Sequence, residues 1–418
     1  MKIKSKYLFC IVIFFIALMS IGSHSLKTDE IILIASSVNG TTITVTEPTV
    51  FNGIKGQYLN NVKFKLYANT TFKNIKFHNT SIPIEIKNSF DEFIIEDCSF
   101  DSITNDCVYL NDYEMGIKFV KIKNTTITNS QSGIRLTGHN QKIIIENLDI
   151  TNLFSDSVSN VSIGGVWLDS DSLVKVSECD INYMYNGAES EGANAIQAIA
   201  IFARCPYVYV YNNRIFNVSN KDNDDAEAIY VKADSVFSIY NNKIFNAGTS
   251  DASITTKFLT AYGEIYNNTI IKTDSNITGG GILVKSPTRI FNNRIELNNG
   301  GPGIRIVAED SLGVYVLHDN EITSNGYGVI VGNRGGFHYY QNNIITSKKQ
   351  KSIHMDFSTP PQKAYKVVIK NNLLNSNSTQ ASHISVNYSD TLIVAGNEFF
   401  GNTDSVFVLS SGYYKFKE

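Results

Sequence analysis

YNNRIFNVS (Tyr211–Ser219), YNNKIFNAG (Tyr240–Gly248), YNNTIIK (Tyr266–Lys272) and FNNRIELNN (Phe291–Asn299) are four copies of one phrase: an alternating apolar run, two asparagines, then an apolar residue two places on. Keeping the first asparagine as the frame, the phrase extends through Asn74, Asp97, Asn124, Asn147, Glu178, Asn212, Asn241, Asn267, Asn292, Asp319, Gln341, Asn371 and Gly396. The steps are 22 to 34 residues, and the residue three places after each is Ile, Leu or Phe, from Phe77 and Phe100 to Leu374 and Phe399. A recurrence of this length marks a solenoid, in which each repeat is one supersecondary unit stacked on the next.

Each period holds a second short run, often headed by a small residue: GIRL at Gly133, GVWL at Gly165, AIYV at Ala228, GILV at Gly281, GIRI at Gly303 and GVIV at Gly328. Alternation with a period of two means strand. No stretch after the N-terminal segment carries helical spacing, so the coil itself must supply the crossover that parallel strands need. The expected fold is therefore all-β: a single parallel β-helix over residues 61–411, right-handed as parallel connections are, with roughly 12–14 coils. Residues 26–60 are expected to form cap strands and 412–418 a charged tail. One coil cannot offset its own ordering entropy by burying a handful of apolar side chains, so the array must fold by stacking.

Asparagine suits the bend between two strands because it enters the left-handed backbone region more readily than other non-glycine residues, and its amide both donates and accepts. Stacked copies of Asn74, Asn124, Asn147, Asn212, Asn241, Asn267, Asn292 and Asn371 are expected to form a structural ladder. The pattern admits either asparagine of each pair as the inward one. Taking the first as the inner rung predicts that the sequons at Asn124 and Asn267 stay unmodified.

Lys2, Lys4 and Lys6 followed by the apolar run Tyr7–Ile21 and small residues at Ser23 and Ser25 read as a secretory leader over residues 1–25. The expected location is extracellular, with no membrane attachment after cleavage. Further sequons at Asn39, Asn69, Asn79, Asn160, Asn217, Asn276, Asn377 and Asn387 accord with that route. Charged residues make up 18% of the chain and the net charge is −3, which excludes the basic field of a nucleic-acid binder. Of the cysteines beyond the leader, Cys98 and Cys179 lie three coils apart, beyond disulfide reach. Cys98–Cys107 pairing within one coil and four buried free thiols both remain open.

Glycine- or alanine-headed strands combined with Asn-Asn turns resemble the pectin-lyase-like parallel β-helix superfamily over residues 61–411. That resemblance implies the architecture and leaves the activity open, since the superfamily includes pectate lyases, polygalacturonases, alginate lyases and epimerases, phage tailspikes and adhesins. Polygalacturonases in the superfamily place an Asp-Asp pair at the head of such a strand; here Asp224 and Asp225 precede AIYV but stand about two residues early, without the Asp and His of the neighbouring coils. Arg135 and Arg305 leave the strand outward, as the proton-abstracting Arg of a pectate lyase would, without that family's surrounding motif.

The outward column of the GIxV strand reads Glu85, Tyr109, Arg135, Trp167, Gln197 or Ala200, Tyr230, Thr255, Leu283, Arg305. The next reads Lys87, Asn111, Thr137, Asp169, Phe202 in one register, Lys232, Lys257, Lys285. Arg135, Trp167, Asp169, Tyr230 and Lys232, with Asp171, Asp224 and Asp225 in flanking loops, gather aromatic faces and charged groups as a sugar ring requires. The same residues also suit an ordinary strand surface, where aromatics are favoured. Calcium could use the acidic KDNDDAE loop; the histidines have no metal-ligand spacing, and no cofactor is identified. Two functions are expected to compete: binding, with or without cleavage, of an extracellular polysaccharide or cell-surface glycan, and a structural or adhesive rod without an active site.

Overall fold

A computed structural model describes residues 29–417, except 156–161, 188–196, 222–225, 250–251, 258–260, 275–277, 309, 311, 334, 358–363, 378–381, 402–405 and 409–410. The expected leader, Asp224, Asp225, Asn160 and Asn276 lie outside the described residues. The chain winds as a parallel β-helix with three strand stacks, and every strand pair among the described residues is parallel. The first stack climbs from Asp29–Leu33 and Thr49–Gly53 to Ser389–Ala395 and Ser411–Lys417. The second climbs from Thr42–Val45 and Lys63–Leu66 to Ile384–Asn387 and Val406–Val408. The third climbs from Tyr58–Asn60 and Lys76–His78 to Leu373–Ser376 and Glu398–Gly401. One four-residue helix, Ala35–Val38, lies near the N-terminal end.

Two expected boundaries fall inside the winding. Strands within 26–60 join all three stacks in parallel register, and Ser411–Lys417 pairs along its length with Ser389–Ala395. The poorer sequence periodicity at both ends hid coils that the main-chain bonds continue.

Inward residues line up rung by rung. Ile215, Ile244, Ile270, Ile295, Ile322, Ile345 and Leu374 are successive partners in the third stack, and all are buried. The small heads of the second-stack strands sit where these isoleucines reach across: a Cβ on Gly303 would come within 2.3 Å of Ile322 Cγ2. Near the N-terminal end the interior is filled instead by Phe64, Phe72, Phe77, Phe93 and Phe100, with Phe77 and Phe100 stacked at 4.8 Å.

The asparagine pair divides two jobs. Asn74, Asn124, Asn147, Asn212, Asn241, Asn267, Asn292 and Asn371 hold the left-handed bend, with φ of 52 to 56°, yet they face outward. The inward rung is the second asparagine: Asn213, Asn242, Asn268, Asn293, Asn320, Asn343, Asn372 and Asn397. From Asn213 to Asn372 each Nδ2 donates to the Oδ1 of the next at 2.9–3.0 Å, and each of the eight also donates to a main-chain carbonyl of the preceding coil. The inner ladder assigned to the first column is thus corrected by one residue. Alternation explains it: if the residue at position three points inward, so does the residue at position one. Asn124 and Asn267 are therefore not shielded on an inner rung, and the basis for expecting them unmodified is gone. Gln341 is likewise off by one; Asn342 takes the bend (φ 55°), Ile345 is buried and Ile344 is exposed.

Earlier coils fill the ladder position with Ile75, Cys98, Thr125, Leu148 and Cys179, and Cys179 N–H donates to the first amide, Asn213 Oδ1 (3.0 Å). Cys98, Cys107, Cys179 and Cys205 are all free and buried, which settles the open pairing for the free thiols. Outside, the residue before each Asn-Asn pair builds a second ladder: Tyr211, Tyr240, Tyr266, Phe291 and His318 stack at 4.8–4.9 Å with planes within 5°, capped by Lys175 Nζ over Tyr211.

Candidate functional site

The second stack sets the outer columns. Arg135 pairs with Trp167, Trp167 with Phe202, Phe202 with Tyr230 and Tyr230 with Thr255. Phe202 therefore fills the coil where Gln197 or Ala200 was expected. One step along, Asp169 pairs with Arg204 and Arg204 with Lys232, and the column continues to Lys257 and Lys285. Arg204 is thus the residue that takes the place provisionally given to Phe202. The length of the preceding insertion shifted the frame there, and the run AIAIFARC alternates weakly.

Adjacent coils are about 4.8 Å apart, so aligned rings must touch. Trp167 and Phe202 stack at 4.4 Å, and Phe202 meets Tyr230 edge-on at 5.4 Å. Cations close both ends: Arg135 Cζ lies 5.2 Å from the Trp167 ring, and Lys232 and Lys257 lie 5.1 and 4.9 Å from the Tyr230 ring. Arg135 is held from the other side by Asp106 Oδ1 (3.4 Å) and the Ser162 carbonyl (3.2 Å).

Several residues expected on the surface are buried: Glu85, Thr137, Thr255 and Leu283 along the columns, and Tyr230 and Asp169 within the expected cluster. Tyr230 is 3% and Asp169 5% exposed. Alternation determines from which face of the sheet a side chain leaves, not whether further chain lies over it. Trp167 and Lys232 are half-buried. Burial lowers Lys232 from its usual range, with Lys257 and Arg204 adding to the effect.

Asp169 opens on a polar cleft of about 240 Å³, lined also by Tyr113, His139, Asp171, Arg204 and Asp234. Arg204 donates to Asp169 Oδ2 at 2.7 Å and lies over Tyr113, while His139 Nδ1 meets Asp171 Oδ2 at 3.0 Å. Asp169 Oδ1 is buried and has no hydrogen-bond partner among the described residues. Burial pushes the Asp169 carboxyl up despite Arg204. The arrangement fixes the Arg204 guanidinium beside the Asp169 carboxyl at the wall of the cleft. Sequence reasoning did not place Arg204, Tyr113 and His139 in the site; they come from different coils, and its frame set Phe202 where Arg204 stands.

No group of three or more His, Cys, Asp or Glu side chains among the described residues is placed to hold a metal ion, and no described helix is long and apolar enough to cross a membrane. Comparison with known proteins finds no family model that matches the chain and no curated protein whose sequence matches it.

Proposed function

We propose that this chain binds an anionic extracellular polysaccharide along the outer face of the second stack. The observation that carries the reading is the column Arg204–Lys232–Lys257–Lys285, one cation per coil, running beside the aromatic column Trp167–Phe202–Tyr230. A polyuronate offers acidic groups at intervals along a chain, which the cation column can meet coil by coil, and apolar sugar faces between them, for which the half-buried Trp167 is the available ring. The expected leader and the resemblance to the pectin-lyase-like superfamily point the same way, although fold resemblance alone does not assign chemistry.

The test is an array of acidic and neutral glycans probed with native protein at low and physiological salt. Binding to acidic glycans that weakens with salt, and that falls at least tenfold in Trp167→Ala and in Lys232→Ala/Lys257→Ala, is the expected result. An ultraviolet assay for unsaturated product decides whether bound chains are cut by elimination. Burial of Phe202 and Tyr230, whose faces are spent on each other and on Lys232 and Lys257, favours a second reading: a non-enzymatic structural or adhesive rod. Silence across the whole array would remove the polysaccharide reading and leave the rod.

A further inference from the structure

Five residues after the bend asparagine, the chain bends into the left-handed region a second time. Asn79, Ser102, Asn129, Asn152, Tyr183, Asn217 and Asn246 occupy this second column, with φ between 47 and 63°. Small polar residues that tolerate the conformation fill every place but one. Tyr183 (φ 60°) is a bulky aromatic where L side chains are strained. It does not recover that strain by burial, because its side of the rod leaves it 48% exposed.

The column also loses something at Tyr183. Asn129 Nδ2 donates to Asp101 Oδ1 (2.9 Å) and Asn152 Nδ2 donates to Asn129 Oδ1 (2.8 Å), an amide relay on the outer surface. The next place should supply a donor to Asn152 Oδ1, and a tyrosine ring stands there instead. Asn217, one coil further, donates to Asn182 (3.2 Å) and not along the column. Asn152 Oδ1 accepts no hydrogen bond from the described residues.

Two places along each strand lies a parallel outward column of Gln131, Phe154 and Tyr185. Phe154 is 42% exposed and stacks on Tyr185 at 5.7 Å, with planes 19° apart. The two columns form a grid: amides on one coil (Asn129, Gln131), an amide and a ring on the next (Asn152, Phe154), two rings on the third (Tyr183, Tyr185). Its surface is an open groove of about 700 Å³, and none of the described side chains lining it is a carboxylate, a lysine, an arginine or a histidine.

The geometry points to a second ligand site, one for an uncharged oligosaccharide. Ring faces at Phe154 and Tyr183 meet the apolar faces of a pyranose, and the amides of Asn129, Gln131 and Asn152 lie one or two coils away, within reach of its hydroxyls. Among the described residues no charged side chain lines the groove, which separates it from the cationic column of the second stack. The site stands whether or not that column binds a polyanion.

The test uses full-length protein made without N-glycans, so that a sugar on Asn217 cannot occupy the groove, and an array of immobilised malto-, cello-, xylo-, manno- and N-acetylchito-oligosaccharides. Native protein should bind at least one neutral series with no loss at high salt, and Lys232→Ala/Lys257→Ala should bind it equally. Tyr183→Asn places the column's usual residue at the bend, so its thermal midpoint should be equal or higher while binding falls at least tenfold. Phe154→Ala should lose binding to a similar degree. The proposal is overturned if no neutral oligosaccharide binds, if both variants keep binding within twofold, or if binding disappears with the lysine pair.

Discussion

Replacing Asn320 by alanine tests what the buried amide ladder contributes. In the native chain Asn320 Oδ1 accepts from Asn293 N–H (3.1 Å) and Asn293 Nδ2 (3.0 Å), while its own Nδ2 donates to the Ile290 carbonyl (2.8 Å) and to Asn343 Oδ1 (2.9 Å). Asn343 Oδ1 keeps the bond from Asn320 N–H (3.1 Å) and Asn293 Nδ2 keeps the Ile265 and Phe291 carbonyls (2.8 and 3.0 Å), so the substitution orphans one donor, Asn293 N–H, and takes the side-chain donor from one acceptor, the Ile290 carbonyl. An unsatisfied buried polar group costs about 1–3 kcal/mol, and two of them set the expected loss at about 3 kcal/mol after partial rescue by water. Asn397 is the last rung and only half-buried, so Asn397→Ala should cost about 1 kcal/mol by the same rule. Because a solenoid unfolds by neighbouring repeats, the assay is hydrogen exchange by mass spectrometry alongside denaturant unfolding. Protection should fall in the strands flanking residue 320 (Thr288–Phe291, Arg294–Leu297, Glu321–Ser324 and Ile344–Ser347) and persist in Phe90–Glu96. Equal losses at Asn320 and Asn397, or a loss below about 1 kcal/mol at Asn320, would refute the reasoning.

Acid should weaken the fold through His338, which is fully buried between Tyr340 Oη (3.1 Å) and the Gly335 carbonyl (3.2 Å) and is lowered by burial to about 4. The unfolded chain takes up this proton first, near pH 6.5, so the stability is whole above that value and drains away as pH falls toward 4. The change is about 3 kcal/mol at 1.36 kcal/mol per unit, and His338→Phe should remove that part of the slope in pH-dependent melts. Lys272 is fully buried, with Nζ donating to the carbonyls of Gly248, Gly279 and Gly280 at 2.6–2.9 Å. Lys272→Met strands those carbonyls and removes the positive charge opposite Glu227, at an expected cost of about 3–5 kcal/mol by chemical denaturation at neutral pH. Burial lowers this lysine to about 7. The unfolded chain therefore holds more protons between about 7 and 10.5, and the native protein should gain on the methionine variant as pH rises through that window.

The inner architecture could be read from the sequence because it obeys one arithmetic. A residue three places after the bend had to be apolar in every coil, and the Ile215–Ile244–Ile270–Ile295 column follows from that requirement alone. Carried two residues back from Ile215 and Ile244, the same parity puts Asn213 and Asn242 inside, a step that leaving either asparagine of the pair open as the inner rung does not take. Gln341 failed for a different reason: at QNNII the period of 22 to 34 residues is too loose to fix a frame to one residue, and only the Asn342–Asn343 pair itself marks it. The outer face obeys no such rule. Nothing in the alternation of GVWLD tells that Asp169 is covered, or that Arg204, from an insertion-bearing coil, reaches it at 2.7 Å.

A solenoid nevertheless makes its exceptions informative, since each column states which residue folding alone prefers. Trp167, Phe202 and Tyr230 are no exception in that sense: they stack on one another, and their burial contributes to the fold whatever else they do. Their presence is therefore weak grounds for a ligand, and the cation column beside them carries the functional reading. Tyr183 is the reverse case. Against Asn129, Asn152 and Asn217 in its own column it adds backbone strain, interrupts an amide relay and buries little. Strain of this kind, on the order of 1–3 kcal/mol, persists only where something other than local stability holds it. An exposed ring over a groove that displays amides and no formal charge gives that something a chemical description.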